Sequence, residues 1–199
     1  MKSWISKSVT AIAIVLALPV LAHADTWQID PAHTNVEFTV RHLMISNVKG
    51  NFEKTSGTIT TEGSDPASAK IDATIDASSV NSRVDRRDAH LKSPAFLDVA
   101  KFPTITFKST KVEADGEGKW KVTGDLTLHG VTKPVVLEVE SSGAPIHDPM
   151  GVGMRAGASA TTKINRSDFG LTWNKALETG GVMVGDEVAI SIDVEAIKK

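Results

Sequence analysis

Asn35-Val36-Glu37-Phe38-Thr39-Val40-Arg41-His42 is the stretch that decides the fold. It alternates without a break. Val36, Phe38, Val40 and His42 share one face, and Asn35, Glu37, Thr39 and Arg41 the other. A period of two belongs to a β-strand buried on one side, because successive side chains leave opposite faces of the pleat. Outward from this run the pattern recurs. Lys70 to Ala77 puts Ile71, Ala73, Ile75 and Ala77 inward, and Thr104 to Thr110 does the same with Ile105 and Phe107. Trp120, Val122, Gly124, Leu126 and Leu128 line one face of the next run, followed by Val135, Leu137 and Val139. Arg155 to Ile164 is strand-like with Ala156, Ala158 and Ala160 on one face, and Glu187 to Ala196 closes the chain with Val188, Ile190, Ile192 and Val194 inward.

Turn residues punctuate these runs. Asp30-Pro31-Ala32-His33 reads as a turn, Asp115-Gly116-Glu117-Gly118 as a hairpin, and His129-Gly130 with Lys133-Pro134 as the turn into Val135. About eight strands with short links predict an antiparallel sandwich or barrel. The barrel is preferred because the long last strand, paired to the first, leaves no edge exposed. An eight-stranded barrel is filled by side chains or holds one ligand. Ala73, Ala77, Gly124, Ala156, Ala158 and Ala160 are small inward residues that favour a cavity.

One stretch breaks the alternation. Arg83 to Pro103 gathers Arg83, Arg86, Arg87 and Lys92 with Asp85, Asp88 and His90, then turns apolar at Phe96, Leu97, Val99 and Phe102. It reads as a helical insert in two pieces lying over the barrel. Ser82 is the expected cap of the first piece, Val84 and Leu91 its docking face, and Asp88 with Lys92 an i, i+4 pair. Ser93-Pro94 is the expected start of the second.

The first residues predict a compartment. Lys2 and Lys7 precede the uncharged apolar run Val9 to Leu21, and Ala22-His23-Ala24 places small residues at a cleavage site. Residues 1–24 thus read as a secretory signal peptide cut after Ala24, leaving 25–199 as one periplasmic domain with no stable membrane insertion. Of the 22 basic and 24 acidic residues, that leader holds two and none, so the remainder carries a net charge of −4. No basic field exists to neutralise phosphates, which argues against nucleic acid as a partner. The absence of cysteine removes disulfides, thiol nucleophiles and thiolate metal sites.

Catalytic patterns are lacking as well. No Gly-x-Ser-x-Gly elbow occurs, and His33, His42, His90, His129 and His147 are scattered. A metal site from His33, His42 or His90 with Asp30 or Asp88 has no ligand spacing on a shared helix to support it. The expectation is therefore no catalytic residue, no metal and no cofactor. The arginines 86, 87 and 166 read first as fasteners of a lid or loop through ion pairs, and second as recognition groups for an anionic head at the cavity mouth.

Several motifs, in order along residues 25–199, resemble the YceI family. They are Trp27-Gln28-Ile29-Asp30-Pro31-Ala32-His33-Thr34, Phe38-Thr39-Val40-Arg41-His42 and Arg87-Asp88-Ala89-His90-Leu91-Lys92-Ser93. Phe102 to Ser109, Gly124 to Val131, and Asn165-Arg166-Ser167-Asp168-Phe169-Gly170 continue the match. The resemblance implies a lipocalin-like, eight-stranded antiparallel barrel, commonly periplasmic, that holds a long isoprenoid lipid rather than an enzyme. The cargo would be a polyprenyl phosphate, a polyprenyl diphosphate or a quinone. The expected cavity lining is Phe38, Val40, His42, Phe52, Ile75, Phe96, Phe107, Leu126, Phe169 and Trp173, with Arg86, Arg87, His90 and Arg166 as head-group candidates. The alternative is an enzyme acting on such a lipid or a small periplasmic molecule through His42, or His90 with Asp88, as acid and base.

Overall fold

The structure is a computed structural model that describes residues 24–63, 65–151, 153–178 and 180–199. The expected signal peptide lies almost wholly outside them. Among the described residues, twelve strands and one α-helix follow each other in the order of the chain. The strands are β1 (Ala24–Ile29), β2 (Asn35–His42), β3 (Ser46–Phe52), β4 (Thr55–Glu62), β5 (Asp65–Asp76) and β6 (Val80–Asn81). After helix α1 (Asp85–Lys92) come β7 (Thr104–Ala114), β8 (Lys119–Leu128), β9 (Val131–Ser141), β10 (Ile146–His147), β11 (Met154–Asn165) and β12 (Val184–Lys198).

Eight of these close a barrel in the order β11, β9, β8, β7, β5, β4, β1, β12 and back to β11, all antiparallel. The last strand does pair with the first: Trp27 lies opposite Lys198 and Ile29 opposite Ala196. β12 also makes the closing ladder with β11 from Arg155–Ile197 to Asn165–Glu187. β12 is long enough to serve two partners on its other edge. β1 takes its C-terminal end and β2 the rest, with Phe38 opposite Ile190 and His42 opposite Val184. The Asp30–Thr34 turn is where the chain steps from one partner to the other, held by Asp30 Oδ1 accepting from Ala32 N at 3.0 Å. β3 and β6 extend this upper rim, and α1 follows directly.

Five expectations need correction. Lys133-Pro134 does not turn; Pro134 sits inside β9 opposite Asp125. It is tolerated because β11 meets β9 only from Glu138 onward, so the half of β9 around Pro134 has a free edge and no ladder bond is lost. The Arg83–Pro103 insert is one helix, not two. Ser93 ends α1 and the chain then runs through a series of turns, with Asp98 N bonded to Ser93 O and Phe102 N to Asp98 O. Ser82 is not the cap either. Val84 holds that position without a side-chain bond and is 46% exposed, so of the expected docking pair only Leu91 packs inward. Asp88 turns away from Lys92 because Ser82 claims it: Ser82 N donates to Asp88 Oδ1 at 2.8 Å and the hydroxyl bonds the same oxygen.

The core sits beneath those turns. Phe96 and Phe169 pack with Ala77, Ile105, Leu128, Ile164 and Leu171, sealing the barrel between α1 and the β8–β9 end. Ala77, expected as a small strand residue, is here in a 3-10 turn and is 1% exposed. The β8–β9 hairpin fits under the same plug. His129 and Gly130 both have positive φ, 52° and 75°, and Gly130 has no β-carbon because the Phe102 ring lies where one would go.

Candidate functional site

The inward faces of the strands enclose a cavity of about 440 Å³. Its wall is almost wholly hydrocarbon. β2 contributes Val36, Phe38 and Val40; β12 contributes Val188, Ile190, Ile192 and Val194; β9 contributes Val135, Leu137 and Val139. These are the faces the alternation picks out, since a closed barrel turns one face of every strand to the lumen. Of the expected lining, Phe38, Val40, His42, Phe52, Ile75, Phe96, Phe107, Leu126 and Trp173 border the cavity.

Phe169 does not. It is 2% exposed and belongs to the packed plug, because the turn Arg166–Phe169 ends at Gly170 (φ 78°) and drives the ring into the core. The small inward residues also divide. Ala73, Ala158 and Ala160 border the cavity, whereas Ala156 faces Ala196 across the β11–β12 ladder. Gly124 is small for a different reason: a β-carbon there would come within 2.4 Å of the Phe107 ring, which occupies the space. Phe38 covers Gly50 in the same way, directly across β2 and β3.

Among the described residues, two that border the cavity are exposed, Arg41 and His90, and both lie at the α1 end. That end is the mouth. His90 stands edge-on to Phe96 and to Trp173, each 4.9 Å away between ring centres. Met183 and Val184 complete the rim; they come just before the alternating run of β12, which is why sequence patterning passes over them.

The head-group candidates part company here. Arg86 is exposed on α1 and does not border the cavity. Arg87 does, but its Nε donates to Ser82 Oγ at 2.7 Å and its Nη2 to Ser82 O at 2.6 Å. Arg166 is 5% exposed and spends its guanidinium on backbone carbonyls: Gly185 O at 2.9 Å, Leu171 O at 2.5 Å and Trp173 O at 2.9 Å. Burial lowers its pKa from the usual arginine range, with Asp186 opposing that shift. Both arginines are wired as fasteners, Arg87 to the approach to α1 and Arg166 to the mouth segment.

The far end is closed by charge. Arg155 Nη1 reaches Asp30 Oδ2 at 2.7 Å and Glu195 Oε1 at 2.5 Å, and its Nε meets Asp148. His33 Nδ1 lies 2.8 Å from the same Asp30 oxygen. Among the described residues, Asp30, His33 and Glu195 are the one trio of potential ligand side chains brought together, and Arg155 already neutralises its two carboxylates. The bonds from Arg155 and then His33 lower the Asp30 pKa to about 2. His42, His90 and Asp88 do not form a cluster, and Asp88 Oδ1 is engaged by Ser82 rather than by His90.

Comparison with known proteins agrees with this architecture. The YceI-like domain family matches residues 27–196. A UPF0312 protein of Vibrio parahaemolyticus is 44% identical over 162 residues, covering 80% of this chain and 85% of the relative. The crystal structure of a Campylobacter jejuni YCEI protein is 38% identical and superposes with a TM-score of 0.65, covering 78% of this chain and 87% of that one. A polyisoprenoid binding domain from Saccharophagus degradans, implicated in plant cell wall breakdown, shares the fold at a TM-score of 0.63 and 17% identity, covering 87% and 98% of the two chains. The chain belongs to the YceI-like family.

Proposed function

We propose that the protein is a periplasmic carrier or sequestering protein for a long isoprenoid lipid held in the barrel. The observation that carries this reading is the cavity: a hydrocarbon wall along the lumen with an exposed mouth at the α1 end. A closed barrel excludes water from an all-hydrocarbon tail, and burial stabilises such a tail by ~0.8 kcal/mol per CH₂. The S. degradans domain that shares this fold binds polyisoprenoids, which supports the same class of cargo. The proposed export signal in residues 1–24 supports the compartment.

The arginine wiring bears on the head group. Arg166 has its donors on carbonyls, and Arg87 holds Ser82 with two of its nitrogens. Arg41, the exposed cation at the mouth, also donates to Asn47 Oδ1 and Met44 O, so a neutral quinone fits better than a diphosphate, which needs several free charged donors. The enzyme alternative gains no support, since a general acid–base pair must share hydrogen-bonding reach, whereas Asp88 is bonded to Ser82 and His90 packs edge-on against Phe96 and Trp173.

Mass spectrometry of organic extracts from natively purified protein tests the reading. An isoprenoid lipid at near-stoichiometric yield is expected. An empty barrel that also refuses added polyprenyl quinone and polyprenyl phosphate would overturn it.

A further inference from the structure

The β2–β3 hairpin turns through Leu43 and Met44, both with left-handed backbone at φ 50° and 62°. Ile45 N donates to His42 O at 3.1 Å, which makes this a type I′ turn. Such a turn selects Asn and Gly at its centre, because a β-carbon is disfavoured at positive φ. This hairpin has leucine and methionine there and isoleucine next. Burial does not compensate: Met44 is 38% and Ile45 76% exposed. Leu43 is half-buried, but at Met44 backbone and solvent both disfavour the side chain, and solvent disfavours Ile45 beside it, which points to an outside requirement.

The location identifies that requirement. Leu43 N donates to Met183 O at 2.7 Å, and Met44 lies over Gly181, so the tip is fastened to the segment that rims the cavity. His42 and Arg41, just before the turn, both border the cavity. Arg41 braces the tip from below, donating from Nη2 to Met44 O at 3.0 Å and from Nη1 to Asn47 Oδ1 at 3.3 Å. The apolar tip therefore adjoins the cavity mouth.

We propose that Leu43-Met44-Ile45 is a membrane-docking element that dips into a bilayer and brings the cavity mouth against it. The proposal rests on the reading of the cavity as a lipid site, because a lipid cargo is taken from and returned to a bilayer. Arg41 at the base suits the headgroup level, its stem among apolar groups and its head in the polar layer. Two or three inserted side chains give shallow, reversible attachment, which a shuttling protein needs and a spanning anchor lacks. Of the other exposed large apolar side chains, Val84, Val136, Ile146 and Met150, Ile146 is at the opposite end. It pairs with Arg155 and so with Ile197, whereas His42 pairs with Val184, thirteen residues earlier on β12.

Because the chain has no cysteine, Ile45→Cys takes a single environment-sensitive fluorophore. With vesicles of phosphatidylethanolamine and phosphatidylglycerol, its emission is expected to shift to the blue and to be quenched by doxyl-labelled lipid. The same label at Ile146→Cys is expected to do neither. In parallel, Met44→Gly with Ile45→Ser is expected to slow transfer of a polyprenyl quinone from donor vesicles several-fold while uptake from detergent micelles is unchanged. A label at residue 45 that stays in water, equal responses at 45 and 146, or unaltered vesicle transfer would each overturn the docking role. Failure to take quinone from micelles sinks the cavity reading instead, and the label then decides docking alone.

Discussion

Thr55 shows how a single side chain reports on the lumen. It is 9% exposed and borders the cavity, and among the described residues nothing bonds its hydroxyl. An orphaned buried hydroxyl costs about 1–3 kcal/mol, so the isosteric Thr55→Val is expected to raise stability by about that amount in urea unfolding. Arg166 is the opposite case, a buried cation with its donors on carbonyls of the mouth segment. Removing it strips charged hydrogen bonds and leaves those carbonyls unpaired. Arg166→Ala is expected to cost about 3–5 kcal/mol, with Arg166→Lys recovering little because one ammonium cannot span the three carbonyls. At the far end, the bonds from Arg155 and His33 hold the Asp30 carboxyl at about 2 against an ordinary 3.8. A depressed folded-state pKa adds stability that is fully present above 3.8 and is lost as pH falls through 2. Asp148 is shifted in the same direction by Arg155. An acid titration followed by circular dichroism should therefore show Arg155→Gln unfolding at higher pH than the parent, and His33→Ala moving the same way by less.

Elements were legible to the degree that one interaction dominates them. Alternation marks the barrel strands because every wall strand has a wet face and a lumen face, and period two records nothing else. The plug was harder. Residues 93–102 form turns whose bonds run to Ser93, Leu91 and Lys92, so no periodicity marks them, and Phe169 reads like a lining residue until the turn at Arg166–Phe169 fixes its direction. Ser82 looks like a cap by type and position, yet its hydroxyl is worth more joining Asp88 to Arg87. Gly124 shows the same limit: its small size suggests space, but the Phe107 ring fills it. Gly124→Ala is expected to push that ring into the lumen and cost about 1–3 kcal/mol, as overpacking does. Phe107→Leu in the same chain should recover part of the loss, and a double-mutant cycle by thermal unfolding measures the coupling.

At the scale of the whole molecule the barrel separates two tasks along one axis. The far end is locked by the Arg155 network, joining the β1–β2 turn, β12 and Asp148 from the segment before β11. The α1 end carries the exposed cavity groups, the aromatic contact of His90 with Trp173, and the Arg166 fastener. Stability therefore draws on the closed sheet and the plug, while capacity draws on the lumen wall between them. The two can be altered independently. Ala158 and Ala160 border the cavity from β11, the strand that completes the closing ladder with β12. Enlarging Ala158 to phenylalanine fills space that cargo would use without touching a hydrogen bond of that ladder. The melting temperature of Ala158→Phe is expected to equal or exceed that of the parent, since a filled cavity gains dispersion contacts. Its uptake of polyprenyl quinone should fall several-fold, read as bound lipid per protein after extraction. A barrel that loads normally with that ring in place would mean that the tail does not run past β11.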